Sequence, residues 1–358
     1  MTLRPDLSTV AAALGRLPRL PLASTPTPLQ DAVGLREALG GPGRCPRILV
    51  KRDDLTGLAG GGNKARKLEY LLGDARRLGA TTLITTGAVQ SNHARMTAGA
   101  ARLAGMACEL VLTAHAADPR DEGNLLLDRL LGARVHFVPA VDPMLAVGRD
   151  EEKVREVAAA VQAGGGTPYV IPVGGSSAVG ALGYVDGTVE LCRQLDAIGA
   201  APSRLYFGSG SRGTQAGLTL GAYLCAAPYR LHGIAVSAGE PEKVERARRA
   251  ARDAAALLGV GDGVLGAEFV TDQGFIGEGY GVPSPGGLEA AVLTARTEAL
   301  FLDLTYTAKA MAALVHDVRS GAVAPDEAVV FLHTGGSPAL FTAAAGAALA
   351  GTPGWLIP

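Results

Sequence analysis

Aromatic residues are scarce, at 4% of 358 residues with a single tryptophan. The core must then be assembled from Ala, Val and Leu, with 49 glycines available for tight backbone turns. An excess of charge of either sign is also missing. Lys and Arg number 33 against 34 Asp and Glu, a net charge of −1. That balance excludes a nucleic-acid or membrane surface working by bulk electrostatics. Cysteine is limited to Cys45, Cys108, Cys192 and Cys225, far apart and without CxxC spacing. A disulfide framework and a zinc module are thereby excluded, and all four are expected as small apolar residues in a reducing compartment. Long apolar runs are absent too. Val10 to Leu14 is too short for a secretory segment, and Ala339 to Gly351 falls short of a membrane span. The expectation is a soluble cytoplasmic protein without membrane or nucleic-acid partners.

What is present is 48% hydrophobic and 19% charged, which excludes a disordered chain, and the length suits about two domains. Strand and helix patterns alternate. Thr82 to Thr86 reads as a buried strand, followed by a helical run from His93 to Ala104. Then come Cys108 to Thr113 as strand, Glu122 to Leu131 as helix, Val135 to Val138 as strand, Glu151 to Gln162 as helix and Pro168 to Val173 as strand. The later half continues with helices expected at 183–195, 214–226, 241–258, 287–299, 307–319 and 339–348, around strands at 205–207, 231–236 and 329–332. Short, continuously apolar strands between helices imply an α/β fold with parallel sheets covered on both faces. Chemistry is then expected at the carboxyl ends of the strands.

Three segments carry residues suited to chemistry. In the first, Gly60-Gly61-Gly62 precedes Asn63-Lys64 and a helical pattern through Leu68, Leu71 and Leu72. Lys64 therefore stands at a helix start, where the positive end of the macrodipole lowers an ammonium pKa. A partly neutral lysine is what Schiff-base chemistry requires, whereas a solvated lysine equal to Lys67 is the plain alternative. In the second, Ser91 is typed as an N-cap, leaving the amides of Asn92 and His93 outward as a carboxylate site. Ordinary helix punctuation is the alternative there. In the third, Gly208, Gly210 and Gly213 satisfy G-x-G-x-x-G between strand and helix. This pattern reads as a dinucleotide fingerprint with Glu240 as the ribose acid, as a simple turn, or as a monophosphate cup. The hydroxyls of Ser209, Ser211 and Thr214, and the position past mid-chain, favour the cup. A reactive lysine, a carboxylate site and a phosphate cup together describe pyridoxal phosphate holding an amino acid.

The motifs "GGGNKARKLEYL", "QSNHAR", "GSGSRGTQAGL", "GEGYGVP", "LTYTAKAMAALV" and "FLHTGG" occur in this order. This series resembles the D-cysteine desulfhydrase and 1-aminocyclopropane-1-carboxylate deaminase family, pyridoxal-phosphate enzymes of the tryptophan synthase β fold. The resemblance implies a two-domain fold type II architecture and a homodimer. It implies that Lys64 bonds the cofactor aldehyde, Asn92 meets the ring hydroxyl, and Ser209, Gly210, Ser211, Gly213 and Thr214 bind the phosphate with help from Lys67. Ser91, Asn92 and His93 would hold the substrate carboxylate, Tyr280 and Tyr306 would face the substrate, and Thr334 would sit at the pyridine nitrogen. His333 is expected to be packed rather than catalytic. The chain departs from the family at Leu304 and Thr305, where a proline is usual two positions before the tyrosine, at Ala308, and at Arg212 in the phosphate loop. Because one cofactor must meet Lys64, Ser91 and the Ser209 loop, a large domain of residues 1–66 and 181–358 is expected to close on a small domain of 67–180.

The deaminases resemble a pattern with Glu after the second tyrosine, and here Thr307 follows Tyr306. A hydroxyl from Thr307 or Thr334 donates to a neutral ring nitrogen and leaves a modest electron sink. That favours α,β-elimination of a ready leaving group, with D-cysteine giving pyruvate, hydrogen sulfide and ammonia. Lys64, or Ser91 beside it, would take the α-proton, and Tyr280 or Tyr306 would assist the thiolate. Cyclopropane deamination, sulfo-lyase action on cysteate, a nicotinamide oxidoreductase using the glycine loop and a non-catalytic amino-acid sensor are the alternatives.

Overall fold

The computed structural model describes residues 7–114, 119–140, 150–261, 269 and 271–352. Helix α1 (Leu7–Gly15) leads to β1 (Leu29–Asp31), α2 (Val33–Ala38), β2 (Arg47–Lys51) and α3 (Lys64–Arg77). The middle of the chain alternates β3 (Thr82–Ala88), α4 (Asn92–Ala104), β4 (Ala107–Ala114), α5 (Gly123–Leu130), β5 (Arg134–Pro139), α6 (Asp150–Ala163) and β6 (Pro168–Ile171). Next follow α7 (Ala178–Ala197), β7 (Arg204–Ser209), α8 (Gly213–Leu224), β8 (Arg230–Ala235) and α9 (Glu240–Leu257). Helices α10 (Pro285–Glu298) and α11 (Thr307–Arg319), strand β9 (Ala328–Leu332) and α12 (Ala343–Ala350) complete it.

Two sheets result. Strands β3 to β6 form one in the order β5-β4-β3-β6, parallel throughout. The other runs β1-β2-β9-β7-β8 and is parallel except for the edge strand β1. Helices cover both, so the α/β class read from the apolar strand runs holds. Strand β3 shows why: all but its last residue are buried, because helices lie on both of its faces and no polar alternation is needed. Leu68, Leu71 and Leu72 of α3 join Leu83, Leu110 and Ile171 in the core of the smaller sheet. Each such leucine contributes about 1.5–3 kcal/mol through burial. With few large side chains available, backbones approach closely: a Cβ on Gly183 of α7 would stand 2.3 Å from the Arg66 carbonyl oxygen of α3.

Several boundaries differ from the sequence expectation. Helix α7 begins at Ala178 rather than Gly183, because Ser177 caps it by accepting from the Gly180 amide at 3.2 Å. The small residues between are packing surface, not a turn. Strand β6 stops at Ile171, because Pro172 cannot donate to the ladder and a 3-10 turn, Val173–Gly175, follows it. Residues Ser337–Leu340 form a separate 3-10 turn, and Thr342 caps α12. Helix α9 includes Glu240, so that residue opens a helix and does not end the preceding strand. All four cysteines are free thiols, three of them buried. Among the described residues no helix is long and apolar enough to cross a membrane, and no His, Cys, Asp and Glu group could hold a metal.

Candidate active site

The carboxyl ends of β3, β6, β7 and β9 converge on one cavity of about 970 Å³. It is lined by Lys64, Ser91, Asn92, His93, the 208–212 turn, Thr214, Tyr280, Tyr306 and Thr334. Gly213 adjoins it as the first residue of α8. The residues singled out from distant segments are thus brought together.

Lys64 is the first residue of α3 and remains partly open to the cavity. Its Nζ donates to Asn63 Oδ1 at 2.9 Å, and Asn63 Nδ2 donates to Thr214 Oγ1 at 3.0 Å. Asn63 therefore ties the lysine to the 209–214 loop, a link that sequence spacing did not reveal. Burial lowers the Lys64 ammonium to about 8; Asp303 opposes that fall and Arg95 adds to it. The expected lowering is present, and its largest cause is desolvation.

Ser91 caps α4, accepting from the Ala94 amide at 3.1 Å. The amides of Asn92 and His93 occupy the first turn, where no intrahelical acceptor exists. The His93 ring is a different matter. Thr85 Oγ1 donates to the Ile171 carbonyl at 2.8 Å, so its contact with His93 Nε2 at 2.8 Å requires the ring to donate. Burial first, then Lys64 and Lys67, hold His93 well below its ordinary pKa. The neutral ring keeps Nδ1 as an acceptor, buried and without a partner. An acceptor cannot bond a carboxylate, so the backbone amide of His93, not its imidazole, is the group suited to that anion. The amide is also the group expected from the sequence.

Loop 209–214 joins β7 to α8. Ser176 Oγ donates to Ser211 Oγ at 2.8 Å, and Thr214 accepts from Asn63, so both loop hydroxyls retain their own protons for a ligand. Ser209 does not, because its hydroxyl donates to Gln215 Oε1 at 2.8 Å, inside the fold. Its expected role reduces to backbone. Arg212 sits at φ 70°, a left-handed position that explains why glycine suits it, and its guanidinium bonds Gln215 Oε1 at 3.0 Å. A Cβ on Gly213 would come 2.5 Å from Lys67 Nζ and 2.7 Å from Ser176 Cα. Lys67 Nζ donates to the Gly174 carbonyl and is held well below its ordinary pKa by burial and by Lys64. A buried amine, two free O–H donors and a helix start without a side-chain cap make an anion cup.

Tyr280 and Tyr306 meet hydroxyl to hydroxyl at 2.8 Å, with rings edge to face at 5.9 Å. Burial pushes Tyr280 up to about 12 and Tyr306 well above its ordinary value. Both are neutral proton donors. Gly208 and Gly210 admit Tyr306: their Cβ atoms would approach its carbonyl oxygen at 3.0 Å and its ring at 3.1 Å. The glycine pattern thus reflects tyrosine packing and the anion cup rather than a dinucleotide fingerprint. Thr334 lines the cavity and its carbonyl accepts from the Asn63 amide at 3.0 Å. Thr307 does not line it. Its hydroxyl donates to Asp303 Oδ1 at 2.7 Å, which removes it from the ring-nitrogen role weighed for it. His333 is buried and accepts from the Gly335 amide at 3.2 Å, a packed residue as expected.

Asp303 escaped the sequence reading. Its buried carboxylate accepts the amides of Thr305, Tyr306 and Thr307 at 2.9–3.0 Å and so caps α11. An acidic residue three positions before a helix-start tyrosine was the available signal.

The unpartnered Asn92 Oδ1 and His93 Nδ1, the anion cup and the partly neutral Lys64 fit one ligand: an aldehyde with a phosphate arm and ring polar atoms. Fold and site together define an α/β enzyme built around such a cofactor. Comparison with known proteins makes this specific. Residues 20–335 match the family described as "Pyridoxal-phosphate dependent enzyme". D-cysteine desulfhydrase of Salmonella newport (strain SL254) is 40% identical over 336 residues, 92% of this chain and 97% of that protein. The same protein of Salmonella heidelberg (strain SL476) gives the same 40% identity. A crystal structure of an ACC deaminase homologue superimposes with a TM-score of 0.84 at 34% identity, covering 96% of this chain and 98% of that one. A pyridoxal 5'-phosphate-dependent aspartate racemase, 15% identical with a TM-score of 0.64 over 94% and 97% of the two chains, shares the fold. The chain belongs to the pyridoxal-phosphate-dependent enzymes of the D-cysteine desulfhydrase and ACC deaminase family. Its cofactor is pyridoxal phosphate.

Proposed function

We propose that the protein catalyses α,β-elimination on a small β-substituted amino acid, converting D-cysteine and water to pyruvate, hydrogen sulfide and ammonia. The observation that carries this reading is a partly neutral Lys64 sharing one cavity with a hydroxyl pair of neutral tyrosines. The substrate comes from the curated relatives, named D-cysteine desulfhydrase. When bound, pyridoxal phosphate supplies the electron sink that makes the substrate's α-proton acidic. Lys64 would hold the cofactor aldehyde, and its amine, with Ser91 in the same cavity, would take the α-proton. The Asn92 and His93 amides and the Ser91 hydroxyl hold the substrate carboxylate. Ser211, Thr214, Lys67 and the amides at the start of α8 hold the phosphate, and Asn92 and Thr334 meet the ring. Tyr280, bonded to Tyr306, gives its proton to the departing thiolate; a neutral phenol can donate where a phenolate could not.

A second reading, opening of a cyclopropane amino acid, is favoured by the ACC deaminase homologue. The higher identity to the desulfhydrases ranks it below elimination. Assay of pyruvate and sulfide from D-cysteine, and of ketobutyrate from the cyclopropane amino acid, decides between them. Sulfide production from D-cysteine supports the proposal, and cyclopropane opening with D-cysteine untouched rejects it. We further propose that residues 1–66 and 181–358 form the large domain and 67–180 the small one, each sheet lying within one of these spans. A cytoplasmic homodimer is the proposed working state, with Phe301 and Phe341, 63% and 78% exposed, as apolar surface to cover. Sedimentation of the purified protein tests it, and a monomer at micromolar concentration rejects it.

A further inference from the structure

Lys309 lies in the first turn of α11 and is wholly buried. An ammonium there is disfavoured both by lost hydration and by the positive end of the helix. Its neighbours on α11, Met311 and Leu314, are apolar core residues, so packing alone would be met by a methionine. The amine instead donates to two carbonyls, those of Ile276 at 2.6 Å and Gly279 at 2.9 Å. Gly279 directly precedes Tyr280. Residues 273–283 are irregular and are tied at their start by the bonds around Asp272, where Ala235 N meets Asp272 O at 2.9 Å. At their end Ser284 caps α10. Between these ties, Lys309 fixes the backbone next to Tyr280. Tyr306 precedes Lys309 by three residues on the same helix start, its amide held by Asp303. One helix end thus anchors both tyrosines, one by a carboxylate and the other by an ammonium.

We propose that Lys309 is a positioning residue, clamping the Ile276 and Gly279 carbonyls so that the Tyr280 hydroxyl stands against that of Tyr306. The inference rests on the reading that this pair serves the leaving group. The clamp acts on backbone, which explains why the residue must offer several hydrogen-bond donors rather than a shape.

The test is a double-mutant cycle on cofactor-loaded enzyme with D-cysteine. Lys309→Met is expected to lower kcat about tenfold or more, with KM and cofactor content little changed. In a Tyr280→Phe background the same substitution should change kcat by less than about twofold, because its target is already gone. Hydrogen exchange in the 272–284 segment should quicken in Lys309→Met while that of 288–298 stays as in the parent protein. Equal kcat losses in both backgrounds, or unchanged exchange in 272–284, overturn the inference. If Tyr280→Phe alone leaves kcat intact, the leaving-group role fails instead, and the exchange readout still decides the clamp. Should the methionine variant fail to fold, Lys309→Gln, which retains amide donors, carries the same cycle with a smaller expected loss.

Discussion

Replacing Lys64 with methionine should stabilise the cofactor-free protein while ending cofactor attachment. Burial lowers the Lys64 ammonium from its ordinary 10.5 to about 8. Taken at face value that fall costs the fold at most about 3 kcal/mol at neutral pH. Lys64 is partly open to a wet cavity, so about 1–2 kcal/mol is the realistic gain on substitution. The sign follows from proton linkage. Between about pH 8 and 10.5 the folded protein binds fewer protons at this site than the unfolded chain, so the parent gains stability as pH rises. The cost is complete below about pH 8 and gone above about 10.5. Urea midpoints of the cofactor-free parent and Lys64→Met should therefore differ most at neutral pH and converge near the upper limit. Added pyridoxal phosphate should give a visible absorbance band with the parent only. A variant less stable than the parent, or a gain that does not shrink with pH, would refute burial as the source of the neutral amine.

Other outcomes follow from the same geometry. Asp303→Asn removes the charge capping α11 and should lower stability by about 1–3 kcal/mol in denaturant titration. Because Asp303 raises the Lys64 pKa, the variant's acid limb of activity should also move to lower pH. Gly213→Ala inserts a methyl 2.5 Å from Lys67 Nζ and should weaken cofactor binding at least about tenfold by fluorescence titration. Lys67→Ala should speed cofactor loss on dialysis yet keep the absorbance band; loss of the band there, with retention in Lys64→Ala, would reverse the two lysines' roles.

Buried parallel strands such as β4 and β7 were legible from short runs of apolar residues, Leu110 to Leu112 and Leu205 to Phe207, whereas the buried strand β2, only five residues long, was not picked out. Strand β1 was not, since three residues on a sheet edge carry no periodicity. The start of α7 was hidden because its glycines and alanines serve helix packing, which looks like loop composition. At the site, Lys64, Ser91 and the tyrosines stood out by type and motif, and they do share one cavity. What sequence did not carry was the direction of each polar atom. Ser209 turns inward, Thr307 turns to Asp303, and the His93 tautomer depends on Thr85 and Ile171 from separate strands. Asp303 and Lys309 matter through backbone contacts, and those have no residue-type signature at the partner.

The most direct test of the central claim is a product assay on the cofactor-loaded protein with D-cysteine, L-cysteine, cysteate and the cyclopropane amino acid at equal concentrations. The account predicts pyruvate and sulfide in equal amounts from D-cysteine, faster than ketobutyrate from the cyclopropane. Efficient cyclopropane opening with D-cysteine left intact would contradict it.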